Sequence, residues 1–176
     1  MRLSLKISKD YKLLDRRLAA EAAGRGVSNA VKRHLVSKDA STPPRGDMPR
    51  TGYYGDAAGS VTTEMEGEVA VVSIPKEGMA LHYFGGVVYP TDGHRALAIP
   101  QVAAAAGRRP AEIDPSRQKF ALVWPKGEKT GTLRDRKTGD VVYLLVAKAT
   151  IPRDETVLPT EAAMYDAAMS AMEVVL

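Results

Sequence analysis

A chain of 176 residues, 44% apolar and 26% charged, has the composition expected of one folded domain, which excludes wholesale disorder and a fibrous protein. The absence of cysteine removes a disulfide scaffold, a thiol nucleophile and any thiolate metal site. No stretch approaches the roughly 18 consecutive apolar residues of a membrane span, and the opening MRLSLKISKDYK lacks the apolar run and cleavage site of a signal peptide, so folding in the cytoplasm is the expectation.

Charge is uneven along the chain. Residues 1–50 carry 12 Lys/Arg against 5 Asp/Glu, residues 51–152 are near neutral at 12 against 11, and from Arg153 onward one basic residue faces five acidic ones. Such opposed ends suit contact with unlike neighbours or between copies of the chain, and they equally suit two solvated faces.

In chain order, Leu3, Leu5 and Ile7 alternate with polar residues and predict a short edge strand over 2–7. From Asp10 as N-cap, Tyr11, Leu14, Leu18 and Ala22 predict an amphipathic helix over about 11–23, stopped by Gly24 and Gly26. Ser28 then caps a second helix, with Val27, Val31 and Leu35 on one face and Lys32, Arg33 and Lys38 on the other. STPPRGDMPRTGYY, Ser41 to Tyr54, has three prolines, two glycines and no periodicity, and reads as a long extended loop. Its RGD tripeptide is too short to carry an integrin reading. Arg45, Arg50, Tyr53 and Tyr54 are its candidate partner contacts.

Beyond Tyr54 the period becomes two. Val61, Thr63 and Met65, then Val69 to Ile74, predict a hairpin broken near Gly67. Further strand-like runs are Leu81–Phe84, Gly86–Tyr89, Ala96–Ile99, Phe120–Trp124, a short strand headed by Leu133, and Val141–Ala149 after a turn at Lys137, Thr138 and Gly139. Gln101–Gly107 suggests one or two helical turns, followed by a basic, proline-bearing connector from Arg108 to Lys119. Pro159 and Thr160 open a terminal helix with Glu161 near its positive end and Met164, Ala168, Ala171, Met172 and Val175 as its apolar stripe. The expected fold is a single α+β domain over 1–176: N-terminal helices, a mainly antiparallel sheet and a C-terminal helix.

Candidate chemistry is sparse. The histidines are His34, His82 and His94, and although Glu77 and Asp92 lie near the latter two, the spacing fits no tight metal motif. His82 is better read as a strand residue bonded within the sheet and His94 as a loop residue. Gly85–Gly86 is no phosphate cradle, and PKGEKTG at Pro125 to Gly131 lacks the spacing and following helix of a P-loop. The glycine pair instead suits a turn or bulge where φ must be positive. An isoelectric point near 9.3 keeps nucleic-acid binding in view, but aromatics total only 6%. No catalytic residue, metal ligand or cofactor site is assigned.

The run Gly78 to Pro100, GMALHYFGGVVYPTDGHRALAIP, resembles the signature of the phage virion morphogenesis family, whose best-known members are the tail-completion proteins of Mu-like phages. The matching positions are an aromatic pair before a double glycine, Tyr83, Phe84, Gly85 and Gly86, then Pro90, then Leu97, Ile99 and Pro100 in a strand closing in Ile-Pro. The basic second helix, the Pro-rich loop, YLLV at Tyr143 to Val146 and IPRDETVLPTEAAMYDAA at Ile151 to Ala168 are similar to that family in the same order.

The resemblance implies a non-catalytic structural protein without cofactor, acting late in assembly at the head-proximal end of the tail and making tails joinable to filled heads. It implies a homo-oligomeric ring, six-fold by analogy, in the neck of a virion assembled in the bacterial cytoplasm. Tail-tube, head-completion and portal-side proteins would be its neighbours, with packaged DNA nearby and no membrane. A tail terminator or head-closure ring is the nearest alternative. A basic DNA-binding accessory protein is the next, and a metal-dependent hydrolase using His82 and His94 the most distant. Pro90 and Pro100 lack a donor and suit strand ends at sheet edges, while loop 41–54 and connector 108–119 are the elements expected to be ordered by partners.

Overall fold

The computed structural model describes residues 2–5 and 15–174 and has an α+β fold. The chain divides into two compact units. Unit 1 comprises residues 1–42, 52–85 and 152–176, and unit 2 comprises residues 43–51 and 86–151.

Unit 1 is built on α1, Arg16–Ser41, a single helix where two were expected. Its N-cap is Asp15, whose carboxylate accepts from the amides of Arg17 and Leu18 at 3.0 and 3.3 Å. The expected cap at Asp10 lies outside the described residues, and Ser28 is a buried mid-helix residue. Gly24 and Gly26 do not stop the helix because their role is close approach. A Cβ on Gly24 would lie 2.6 Å from the Cβ of Ala70, and one on Gly26 would lie 2.2 Å from the carbonyl oxygen of Ala167. The helix therefore keeps its hydrogen bonds and gains two flat places for neighbours.

Those neighbours are a three-stranded antiparallel sheet and the terminal helix. Strands β1 (Arg2–Leu5), β2 (Thr62–Glu66) and β3 (Val69–Ser73) pair in the order β1-β3-β2, with the expected hairpin turning at Gly67. Ile7, the last residue of the expected first strand, is outside the described residues. Two short helices flank the hairpin: α2, Tyr53–Ser60, and α3, Met79–Phe84. Both correct the sequence reading. Tyr53 and Tyr54 begin a helix, so the loop ends at Gly52, and Leu81–Phe84 is helical because Met79 and Tyr83, four apart, both face the core. Over four residues, apolar content cannot separate the two periods.

Helix α5, Glu161–Glu173, is capped by the Thr160 hydroxyl, which accepts from the Ala163 amide at 3.2 Å. It covers α1 of its own unit through Ala168, Met164 and Met172; Val175, the last residue of the expected stripe, is not among the described residues. Val31 and Leu35 on α1 are fully buried in this core, each contributing about 1.5–3 kcal/mol relative to exposure.

The longer segment of unit 2, residues 86–151, begins and ends in a two-stranded ribbon, β4 (Gly86–Val88) against β9 (Ala149–Ile151), with Gly86 opposite Ile151. Between them lies a four-stranded antiparallel sheet in the order β5-β8-β7-β6: β5 Leu97–Pro100, β6 Phe120–Val123, β7 Thr130–Asp135 and β8 Val141–Val146. The run Val141–Ala149, expected as one strand, is two strands in two sheets, divided at the exposed pair Ala147 and Lys148. The core of the unit is Ala105, Phe120, Val142 and Tyr143, flanked by Ala98, Val102, Ile113 and Leu133. Ala105 comes from a single 3-10 turn, Ala103–Ala105, within the helical segment expected at 101–107. Pro100 ends the edge strand β5, where its missing donor costs no ladder bond.

Candidate interaction surfaces

In unit 1, the last turns of α1 meet α2, α3 and a 3-10 turn at Glu155–Val157. The ring of His82 lies 4.8 Å from that of Tyr53 and 5.8 Å from that of Tyr54, while the two tyrosines meet edge to face at 5.3 Å. Lys38 and Lys76 stand over the Tyr54 and Tyr53 rings at 5.8 and 5.6 Å. Tyr53 donates its hydroxyl hydrogen bond to the Glu77 carbonyl at 2.8 Å, and the Tyr54 amide donates to Asp39 at 3.0 Å. Burial pushes both phenols up, helped at Tyr53 by Tyr54 and Glu77 and at Tyr54 by Asp154.

The charges here are matched. Lys38 bonds Asp154 at 2.8 Å and the Thr156 hydroxyl at 2.6 Å, and Lys76 bonds Asp56 at 2.9 Å. The Lys38 bond, then the Thr156 hydroxyl, bring the Asp154 carboxyl down to about 2. This cluster fastens four elements together. Tyr53 and Tyr54, expected as loop contacts, are thus packed against their own core. Arg45 and Arg50 are exposed on the loop proper.

Of the glycine pair, Gly85 has the expected backbone role, taking φ 72° and ending α3, whereas Gly86 opens β4 without a positive φ. Phe84 is 60% exposed and edge-on to Tyr83 at 4.9 Å. On unit 2, Val87 and Tyr89 are 42% and 61% exposed. Pro90, Leu97, Ile99 and Pro100 are half-buried, the last three in β5.

His82 and His94 belong to different units. His82 sits in the aromatic cluster on a helix, not in a strand, and His94 is exposed in a turn, its amide bonded to the Thr91 carbonyl at 3.0 Å. Among the described residues no group of three or more His, Asp or Glu is placed to hold a metal ion. Residues 125–129 of PKGEKTG lie in the β6–β7 connection, and its Thr130 and Gly131 open strand β7 where a P-loop would open a helix. The Trp124 indole donates to the Glu128 carbonyl at 3.0 Å and lies across Gly131, where a Cβ would come within 2.3 Å of the ring.

The connector 108–119, expected to await a partner, is ordered from within. Pro110 opens α4, Pro110–Ile113, and the buried carboxylate of Asp114 accepts from the Ser116 hydroxyl and the amides of Gln118, Lys119 and Phe120 at 2.8–3.1 Å. Burial pushes this carboxyl up, but the donors from Phe120, Gln118, Ser116 and Lys119 together outweigh it and hold it below the usual range. Arg117 takes φ +57° to close the loop. Beside it lies an open groove of about 390 Å³ floored by Phe120, Leu122 and Leu133 and rimmed by Arg117 and Arg136. The signal for this site was the DPS step at 114–116, a turn-forming aspartate before proline.

Charge also sorts by unit. Unit 2 holds 13 Lys/Arg against 7 Asp/Glu, and unit 1 holds 12 against 14. The excess of positive charge is therefore carried by the inserted unit, which the end-to-end reading of the sequence did not foresee. No protein-family model, no curated protein and no solved structure matches the chain.

Proposed function

We propose that the chain is a non-enzymatic structural protein of a tailed phage or prophage, acting in the neck to complete the tail and join it to the head. The resemblance of Tyr83 to Pro100 to the virion morphogenesis family motivates this reading. The observation that carries it is the exposure of Val87 and Tyr89, alternate residues of unit 2 within that same segment, because large side chains held out to solvent side by side suit a surface that a partner covers. Assembly as a homo-oligomeric ring beside tail-tube and portal-side proteins follows from the resemblance.

The test is electron microscopy of particles from a phage lacking the gene, with purified protein added back. Filled heads beside separate tails, joined on addition, are expected. Normal joined virions without the gene would sink the reading. Deleting 43–50, an exposed loop, should spare folding and impair joining; a folded deletion variant with full infectivity would count against a role for that loop.

The basic balance of unit 2 favours a second reading, a DNA-binding accessory protein. Its mark would be duplex binding that weakens steeply with salt.

A further inference from the structure

Unit 2 carries an open groove beside strand β6, independent of the virion reading. Strand β6 is an edge of its sheet. The Arg136 amide donates to the Lys119 carbonyl at 2.9 Å, so by antiparallel alternation Ala121 and Val123 turn their backbone groups toward β7, while Phe120 and Leu122 turn theirs outward. The outward pair of Phe120 is already occupied: its amide donates to Asp114 at 2.9 Å and its carbonyl accepts from Arg136 Nε at 3.0 Å. The next outward pair belongs to Leu122, whose side chain is 64% exposed.

Three features therefore converge within unit 2. Leu122 and Leu133 form an apolar floor, the outward amide and carbonyl of Leu122 offer one step of strand pairing, and Arg117 and Arg136 stand at the rim. The acidic residue in the groove, Asp114, directs its carboxylate to four internal donors, and the two guanidinium groups outnumber its single charge. We propose that this groove binds an extended segment of a partner protein in which an apolar and an acidic side chain stand two residues apart, on one face of the strand. An apolar side chain rests on Leu122 and Leu133, the carboxylate two residues along, which an extended strand turns to the same face, meets the two guanidinium groups, and the backbone extends along β6. The apolar floor favours such a peptide over a nucleic-acid backbone, which needs cations alone.

The experiment is a titration of the isotope-labelled full chain, followed by the backbone amide signals, with a capped octapeptide in which valine and glutamate take turns at every second position and threonine fills the positions between. The same peptide with glutamine in place of glutamate and a duplex DNA are the comparison probes. Saturable shifts at Arg117, Leu122 and Leu133 are expected, with binding about tenfold weaker for the glutamine peptide and for Arg117→Asn and Leu122→Asp. Asparagine tolerates the positive φ of position 117 and Leu122 is exposed, so both variants should melt as the parent does. Absence of those shifts, equal binding of the glutamine peptide, or tighter binding of duplex DNA at the same residues would overturn the proposal.

Discussion

Replacing Gly26 by alanine sets two effects against each other. In a helix interior the change ordinarily stabilises by about 0.5–1 kcal/mol, because alanine loses less backbone freedom on folding. Here the new Cβ would stand 2.2 Å from the Ala167 carbonyl oxygen and 2.8 Å from the Ala171 Cβ. The first of these is helix backbone and cannot rotate aside, so α5 must move off α1. Overpacking of this kind costs about 1–3 kcal/mol, so the gain is cancelled or outweighed, with a net destabilisation of about 0–2.5 kcal/mol. Gly59→Ala is the control, since its Cβ meets nothing within 4 Å and its φ is not in the left-handed region; it should stabilise by about 0.5 kcal/mol. Urea unfolding followed by far-ultraviolet circular dichroism compares the two. If Gly26→Ala proves as stabilising as Gly59→Ala, the close approach of α5 to α1 is wrong.

Three further outcomes follow from the packing. The folded Asp154 carboxyl lies at about 2, below its ordinary value of about 3.9, so its contribution is full above that ordinary value and is lost as pH falls toward 2. The carboxylate is 40% exposed, so screening limits the effect to the order of 1 kcal/mol, and Asp154→Asn should flatten the acid limb of a stability-versus-pH curve by that amount. Gly131→Ala should displace the chain's single tryptophan from β7, changing its fluorescence maximum in the folded protein; an unchanged spectrum would contradict the stacking of Trp124 on Gly131. Because Gly86 and Ile151 are direct antiparallel partners, replacing 86–151 by an Asn-Gly turn should leave unit 1 helical with a cooperative melt, and loss of helical signal would show that unit 1 depends on the insert.

Much of the fold was legible where a period ran long or a terminus carried a cap. The Val61–Ile74 hairpin and the Thr160-capped helix fall where alternation and capping put them. Gly24 and Gly26 misled because a glycine reads the same whether it ends a helix or admits a neighbour, and only the position of Ala70 and Ala167 decides between the two. Leu81–Phe84 was too short for its period to separate helix from strand. The inserted unit was invisible because its ends, Gly86 and Ile151, are far apart in sequence and meet only through pairing. Of the candidate contacts, Arg45 and Arg50 are exposed, whereas Tyr53 and Tyr54 pack against His82 and the core. The groove beside Asp114 depends on long-range placement of Leu122, Leu133 and Arg136 that no local pattern encodes.

The most direct test of the joining role is electron microscopy of particles made by a phage carrying Val87→Asp together with Tyr89→Asp. Both side chains are exposed, so the variant should accumulate and melt as the parent does. Filled heads beside separate tails are the expected result, with joining restored by the unaltered protein. Joined, infectious virions in normal yield would contradict the role assigned to this segment.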